Sequence, residues 1–297
     1  FTRRNRPVSG CRAATETATR GRAVEGDCVS LMLHFGPILG TCVAPADRKI
    51  EGHGEFDGDR CENCAGQLMC GRFSLLQSPE EVEAFFALEG LDAFPPRYNI
   101  APTQPVAIVR LDRGARHLAL VRWGLVPAWV KDPRKFALLI NARAESAAEK
   151  PAFRAAMRYR RCLFPASGFY EWRRGPGKAK QPYWIRPRDG GLVAFAGLWE
   201  TWPDRDGGEI DTACILTTDA NETVAAVHDR MPVVIAPADF DRWLNADDFR
   251  PDDVADLLRP APVSLFEAIP VSQRVNAAAN DDPRLLEPMD AAGGAQE

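Results

Sequence analysis

The chain has 297 residues, of which 45% are hydrophobic and 26% charged, and its formal net charge is −4. That length is enough for one large or two small domains with a buried core. Because no apolar run is long enough to span a bilayer, the composition excludes a membrane-spanning protein and predicts a soluble globular one.

The charge is distributed unevenly along the chain. From position 133 to 188 there are fourteen Lys and Arg against three Asp and Glu, whereas from 189 to the end there are seven against twenty-two. A basic middle and an acidic final third are typical of a protein with one phosphate-binding face rather than one that coats nucleic acid all over. A solvated basic surface without a ligand would give the same counts.

Most of the cysteines lie before position 69. Five of the eight are there, and only Cys70, Cys162 and Cys214 follow. Three scattered cysteines do not form a disulfide framework, so the later part of the chain is predicted to be cytoplasmic. Cys61 and Cys64 have the spacing of half a zinc site, but no second half follows. We therefore predict neither a metal nor a cofactor.

Residues 1–68 differ from the rest, because Gly, Arg, Thr and Ala are scattered there without helical or strand periodicity. We expect this segment to be absent from the mature protein, either as upstream sequence translated from a misplaced start or as a leader that is cut off. A disordered extension is the alternative. Residues 69–288 are predicted to form a single domain, followed by a flexible tail over residues 289–297.

From position 69 onward the predicted elements follow one another closely. A capping box from Ser78 to Glu81 predicts a helix, and a basic helix is predicted to end near Arg161. Alternation and turn residues predict strands at 106–111, 117–123, 162–165, 169–172, 183–186, 192–199, 212–218 and 266–271. Further helices are predicted from about 222, at 237–244 and at 251–258, and a loop at 97–102. This order predicts an α+β domain with a β-rich, mainly antiparallel, barrel-like core flanked by helices.

Met69 and Cys70 carry a distinct chemical possibility. If translation starts at Met69, removal of the methionine leaves Cys70 with a free α-amine beside its thiol. Such an aminothiol condenses with an aldehyde, because the amine forms a Schiff base and the thiolate then closes a five-membered thiazolidine. In the sequence as written the amine is held in a peptide bond. An isolated cysteine, moreover, is more often a buried small hydrophobe than a nucleophile.

Two further side chains are candidates for proton transfer. Glu171 is flanked by Tyr170 and Trp172, and burial among these aromatic rings would raise its pKa and suit it to acid/base catalysis. An outward-facing Glu on an alternating strand is equally consistent with the pattern. His228 precedes Asp229, which can orient an imidazole for proton transfer, although a histidine in a loop is more often polar surface.

Asn141 and Arg143 are two positions apart, so on an extended segment they would point to the same side. An amide beside a guanidinium can hold a sugar–phosphate backbone. The alternative is that Asn141 is a helix N-cap and Arg143 a surface residue. Aromatic residues, among them Trp123 and Trp129, are interleaved with basic ones, which is typical of stacking platforms for single-stranded bases but also of a core.

Together these motifs resemble those of the SRAP (SOS response-associated peptidase) family, from Met69 to about Pro288. The resemblance is carried by seven motifs in order: MCGRF at Met69, RYNIAP at Arg97, WGLVP at Trp123, NARAE at Asn141, GFYEW at Gly168, HDRMP at His228, and PVS at Pro270 with VN at Val275. Each motif alone is weak, but seven in the family's order are specific.

The resemblance implies a monomeric abasic-site sensor of the DNA damage response, associated with the nucleoid when bound to DNA. It would bind single-stranded DNA and shield the site through a thiazolidine crosslink. The crosslinking residue would be Cys70, and the catalytic residues around it Asn141, Glu171 and His228. The DNA contacts would be Arg72, Asn99, Arg143 and the loop from Trp123 to Trp129.

Two other functions stay open from the sequence. The family name suggests a cysteine-type peptidase that cleaves its own chain before Cys70, with His228 as the base. The third possibility is a single-stranded-DNA-binding module without catalytic activity, which the basic stretch and the aromatic residues alone would explain.

Overall fold

The computed structural model describes residues 70–175, 180–203 and 207–289. The predicted extension at 1–68 and residues 290–297 of the predicted tail lie outside the described residues. Within the described ranges, no helix is long and apolar enough to cross a membrane.

Strands dominate the part of the chain that the structure describes. They are β1 Phe73–Leu75, β2 Arg97–Ile100, β3 Pro105–Asp112, β4 Ala115–Trp123, β5 Asn141–Arg143, β6 Arg161–Ala166, β7 Gly168–Arg174, β8 Lys180–Pro187, β9 Val193–Pro203, β10 Glu209–Asp219, β11 Arg230–Pro232, β12 Val234–Ile235 and β13 Phe266–Pro270. The α-helices are α1 Pro79–Phe86, α2 Ala144–Ala147, α3 Arg154–Tyr159, α4 Glu222–Ala225 and α5 Phe240–Leu244. Turns of 3₁₀-helix lie at Pro133–Lys135, Pro237–Asp239, Pro251–Leu257, Gln273–Asn276 and Pro283–Leu286.

Five strands close into a small barrel, because β3, β4, β10, β9 and β6 each pair with the next and β6 pairs back to β3. These pairings are antiparallel except for β4 with β10. The interior is close-packed: a Cβ on Gly197 of β9 would lie 2.3 Å from the ring of Phe164 on β6. The predicted α+β class with a mainly antiparallel, barrel-like core is thus confirmed.

A second sheet has the order β13-β8-β7-β1-β2 and packs on the barrel through aromatic side chains. Phe73 of β1 makes edge-to-face contacts with Trp123, Phe164 and Phe195 of the barrel strands. Because β1 begins three residues after Cys70, this packing fixes the position of the residue on which the predicted chemistry depends.

Most predicted elements are confirmed, and three are corrected. Ser78 caps α1 with both bonds of the capping box. Residues 97–100 form β2 rather than a loop, because they pair with β1, which is distant in sequence. The helix expected to end near Arg161 is two short helices, the second ending at Tyr159. The segment Pro251–Leu257 is 3₁₀ rather than α-helical.

Candidate active site

Four separate parts of the fold carry the predicted catalytic residues. Cys70 directly precedes the sheet that contains β1, and Glu171 lies on β7, which pairs antiparallel with β1. Asn141 begins β5, which runs parallel to β10 and pairs through Ile215. His228 follows α4, with its backbone N–H bonded to the carbonyl of Val224 at 2.9 Å.

Cys70 and Glu171 are in direct contact. The backbone N–H of Cys70 donates to Oε1 of Glu171 at 2.5 Å, across 101 positions of sequence. Register explains the contact, because the amide of Tyr170 donates to the carbonyl of Arg72 at 2.9 Å and so aligns the two strands. The nitrogen that would become an α-amine therefore lies against a carboxylate.

Cys70 is buried and its backbone is unusual. Burial raises the pKa of its thiol well above the usual value, and the carboxylate of Glu171 raises this pKa further. The positive charge of Arg230 acts in the opposite direction. The φ angle of Cys70 is 42°, in the left-handed region that residues other than glycine rarely adopt.

Glu171 is buried, with 1% of its surface exposed. Burial raises the pKa of its carboxyl, while His228 and the hydrogen bonds from Cys70 lower this pKa and offset part of the effect. The alternative interpretation, an outward-facing glutamate, is wrong. A carboxyl whose pKa is raised keeps its proton at a higher pH than a free glutamate does, which suits acid/base chemistry.

His228 is also buried, so its interpretation as polar surface is wrong. Its Nδ1 accepts a hydrogen bond from the backbone N–H of Arg230 at 3.0 Å. Asp229 Oδ1 lies 3.1 Å from the same nitrogen, a contact that becomes an ion pair only when the ring is protonated. With Nδ1 as acceptor, the neutral imidazole carries its proton on Nε2 and can donate it there.

Asn141 and Arg143 lie on β5, where alternate residues share a side. Asn141 is partly buried and Arg143 exposed. The N-cap interpretation of Asn141 is wrong, because Arg143 occupies the N-cap position of α2 and makes no side-chain capping bond there. This pair therefore keeps the one-sided arrangement that the spacing predicts.

The predicted DNA contacts divide into surface and core residues. Trp129 is 60% exposed and packs edge-to-face against Phe136 at 5.5 Å, so its ring is accessible. Trp123 is fully buried and its Nε1 donates to the carbonyl of Ile140 at 3.0 Å. Trp123 is therefore corrected to a core residue, since a base cannot stack on a ring without exposed surface.

Asn99 is likewise corrected, because it is fully buried and its amide is engaged within the protein. Its Nδ2 donates to the carbonyls of Val275, Ala277 and Asn280, at 3.2, 3.1 and 2.8 Å. Its Oδ1 accepts from Arg72 Nη1 at 2.9 Å. Arg72 itself is half-buried and also donates to the carbonyl of Val275, so it joins β1 to the C-terminal segment.

Sequence reasoning missed Arg230 and Glu145 as parts of this site. The guanidinium of Arg230 is buried, acts on the Cys70 thiol by its charge, and bonds both carboxylate oxygens of Glu145 at 2.9 and 2.8 Å. Glu145 lies in the same motif as Asn141, and Arg230 lies in the same motif as His228. Their place in these motifs was the only feature of the sequence that could have indicated a role in the site. Within the described ranges, no three His, Cys, Asp or Glu side chains group as a metal site.

The chain is similar to several known proteins. The sequence model of the family described as SOS response associated peptidase (SRAP) matches residues 69–278. The chain is 39% identical over 222 residues to the abasic site processing protein YoqW of Bacillus subtilis, covering 74% of this chain and 99% of YoqW. It is 31% identical over 229 residues to the abasic site processing protein YedK of Escherichia coli, covering 74% and 100%.

Further relatives include a eukaryotic protein and a protein of known structure. The abasic site processing protein HMCES of Gallus gallus is 33% identical over 227 residues, covering 66% of this chain and 67% of HMCES. A crystal structure of a protein from Bacteroides thetaiotaomicron matches with a TM-score of 0.66 at 26% identity, covering 74% of this chain and 100% of that protein.

Proposed function

The chain belongs to the SOS response associated peptidase (SRAP) family, and from this premise we propose that it processes abasic sites in DNA. In the proposed reaction it binds single-stranded DNA as a monomer in the cytoplasm and captures the abasic aldehyde as a thiazolidine on Cys70. The proposal rests on one observation above all: the Cys70 nitrogen lies 2.5 Å from the Glu171 carboxylate.

The reaction begins with the abasic sugar, which is mostly a closed hemiacetal. Opening the ring requires a proton to leave the anomeric hydroxyl and a proton to reach the ring oxygen. Glu171 accepts the first and passes it to the ring oxygen, while His228, with its proton on Nε2, stabilises that oxygen by a hydrogen bond. Asn141, on β5, hydrogen-bonds the sugar or the amine and holds the aldehyde in reach.

Covalent capture then proceeds in two bond-forming steps. Glu171 first takes a proton from the Cys70 ammonium, and the neutral amine adds to the aldehyde carbon. Glu171 then protonates the resulting hydroxyl, and water leaves to give an iminium. The Cys70 sulfur next adds to the same carbon, and its proton passes to Glu171. One water is lost overall. Removing the iminium prevents the β-elimination that would otherwise cut the strand, so lyase chemistry is suppressed in favour of a shielded site.

This chemistry requires Cys70 to have a free α-amine, so we propose that the functional form begins at Cys70. The backbone geometry supports this. A φ of 42° costs an L-residue about 1–2 kcal/mol. The strain depends on the acyl group before Cys70, so a chain that begins at Cys70 has no φ at this residue and no such strain.

The contact between the Cys70 nitrogen and Glu171 and the strained φ angle of Cys70 also favour a second candidate function. This function is cleavage of the chain's own 69–70 peptide bond. Glu171 would take the Cys70 thiol proton, because Nδ1 of His228 already accepts a hydrogen bond and its Nε2 carries the proton. The sulfur would add to the preceding carbonyl. Glu171 would then deliver a proton to the nitrogen it already contacts as the C–N bond breaks. Water would hydrolyse the resulting thioester, leaving Cys70 with a free amine.

Intact-protein mass spectrometry tests both functions. The full chain and a form that starts at Met69, with its methionine removed, are each incubated with a single-stranded oligonucleotide containing one abasic site. The Cys70-first protein should gain the mass of the DNA less one water. Cys70→Ser should form no stable adduct, whereas Cys214→Ala, which changes a buried barrel cysteine, should behave like the unaltered protein.

The full chain provides the contrasting result. If the second function operates, it should lose residues 1–69 on incubation, and Cys70→Ala should abolish that loss. A Cys70-first protein that gains no DNA mass contradicts the crosslinking proposal. A full chain that stays intact over days removes self-cleavage as the route to the free amine.

A further inference from the structure

Arg230 lies where three segments of the site meet, namely α2, the end of β10 and the start of β11. Its guanidinium is buried and donates to Glu145 twice, to Asp219 Oδ1 at 2.6 Å and to the carbonyl of Thr217 at 2.7 Å. Glu145 lies in the first turn of α2, directly after the strand that carries Asn141. The guanidinium therefore joins α2 to the end of β10.

The backbone of the same residue holds His228. The Arg230 N–H donates to Nδ1 of the imidazole, and Arg230 begins β11, which pairs with the end of β10 through Asp219. Strand β5 pairs with β10 on the same stretch, at Thr217. A displacement of Arg230 would thus move the imidazole relative to β5 and would weaken the bond that fixes its tautomer.

We infer that the Glu145–Arg230 ion pair positions His228, with its proton on Nε2, against the strand that carries Asn141. The effect on crosslinking rests on the proposed function, but the effect on the imidazole does not. Arginine suits this role because its planar guanidinium meets a carboxylate through two parallel bonds, which fixes orientation as well as distance. A lysine at this position cannot reproduce that geometry.

An alternative role for Arg230 would be to bind a DNA phosphate directly. Its side chain is only 10% exposed, whereas that of Glu145 is 49% exposed, so the guanidinium is the less accessible partner of this ion pair. A phosphate would have to displace Glu145 and Asp219 from a pair of ion contacts. The two roles give opposite results when Glu145 loses its charge.

The test uses Glu145→Gln and Arg230→Lys in the Cys70-first form, with Asp256→Asn as the matched control. Asp256 also receives two bonds from one arginine, Arg242, but at the surface and on other elements. Single-turnover crosslinking at saturating DNA and the Kd for uncrosslinked DNA are measured separately. We expect both site variants to crosslink about tenfold to a hundredfold more slowly. Their Kd should change less than about threefold, and the control should match the unaltered protein.

Nitrogen-15 NMR of the imidazoles separates this inference from the proposed function. Only His117 and His228 follow position 69, so the spectrum contains two rings. Glu145→Gln should change the Nδ1 and Nε2 signals of His228 and leave those of His117 unaltered. Thermal unfolding confirms that each variant is folded before it is measured.

Three results would overturn the inference. Unchanged His228 signals in folded Glu145→Gln would show that the pair does not position the ring. A normal crosslinking rate with a lowered Tm would make the pair merely structural. Tighter DNA binding in Glu145→Gln, with weaker binding in Arg230→Lys, would assign Arg230 to phosphate contact.

Discussion

At the scale of single residues, the site combines groups that oppose stability. Glu171 is a carboxylic acid without exposed surface, and Cys70 has a left-handed backbone angle. Buried ionisable groups and strained residues are costly, and they persist where function requires them. The aromatic neighbours of Glu171 predict its burial from the sequence. The contact with Cys70 is not predictable, because it depends on the register of strands about a hundred positions apart.

Glu171→Gln should stabilise the protein in a pH-dependent manner. Since folding raises the pKa of this carboxyl, the folded state holds its proton more tightly than the unfolded state does. Stability is therefore lost as the pH rises above the unfolded pKa of about 4.3 toward the higher folded pKa. A glutamine side chain does not ionise, so the Glu171→Gln variant does not lose this stability as the pH rises.

The measurement is the free energy of unfolding of both proteins in urea between pH 3.5 and 7.5. The advantage of the variant should grow across that interval, while its crosslinking rate falls at least about a hundredfold. A stability difference that is constant with pH would mean that Glu171 does not change its pKa on folding.

At the scale of elements, the C-terminal segment from Val271 to Met289 is fixed to the second sheet by backbone bonds at its two ends and by side chains between them. Asn99 bonds three of its carbonyls, and Asp281 accepts from the amides of Tyr98 and Asn99. The sequence shows Asn99 in a motif, but it cannot distinguish a residue that contacts DNA from one whose side chain joins two segments of the protein. Local signals predict α1 and most strands, whereas β2 and the 3₁₀ turn at Pro251–Leu257 depend on tertiary pairing and packing.

Asn99→Ala should lower the free energy of unfolding by about 2–4 kcal/mol, because it leaves buried carbonyls and the Arg72 guanidinium without this amide. Urea denaturation measures the change. The control is Asn245→Ala, since the Asn245 side chain bonds only the nearby Asp248 and should cost less than about 1 kcal/mol. Equal decreases in the free energy of unfolding of the two variants would show that the Asn99 side chain does not hold the C-terminal segment in place.

At the scale of the whole molecule, a closed five-stranded barrel and a second sheet bring four distant motifs to one site. The alternating strands predict the antiparallel, barrel-like class, but the closure of β6 on β3 has no local signal. The basic stretch from 133 to 188 contributes Arg143 beside the site and follows the loop that exposes Trp129. Both side chains are exposed, so the proposed DNA contact would use an aromatic ring and a guanidinium.

Replacing Trp129 and replacing Arg143 should weaken DNA binding in different ways. Trp129→Ala removes a stacking ring and should cost about 1–3 kcal/mol at all salt concentrations. Arg143→Ala should reduce the slope of log K against log salt by about one, as the loss of a single phosphate contact does. Fluorescence anisotropy with an abasic-free strand measures both, and an unaltered salt slope in Arg143→Ala would remove it from the interface.

The central claim is that Cys70 holds the DNA through both its nitrogen and its sulfur. The most direct measurement digests the crosslinked Cys70-first protein with nuclease and trypsin and sequences the peptide Cys70–Arg72 by mass spectrometry. We predict that this peptide carries the sugar remnant and that neither its amine nor its thiol reacts with alkylating reagents. A remnant on another residue, or a Cys70 thiol that is still free to alkylate, would contradict the account.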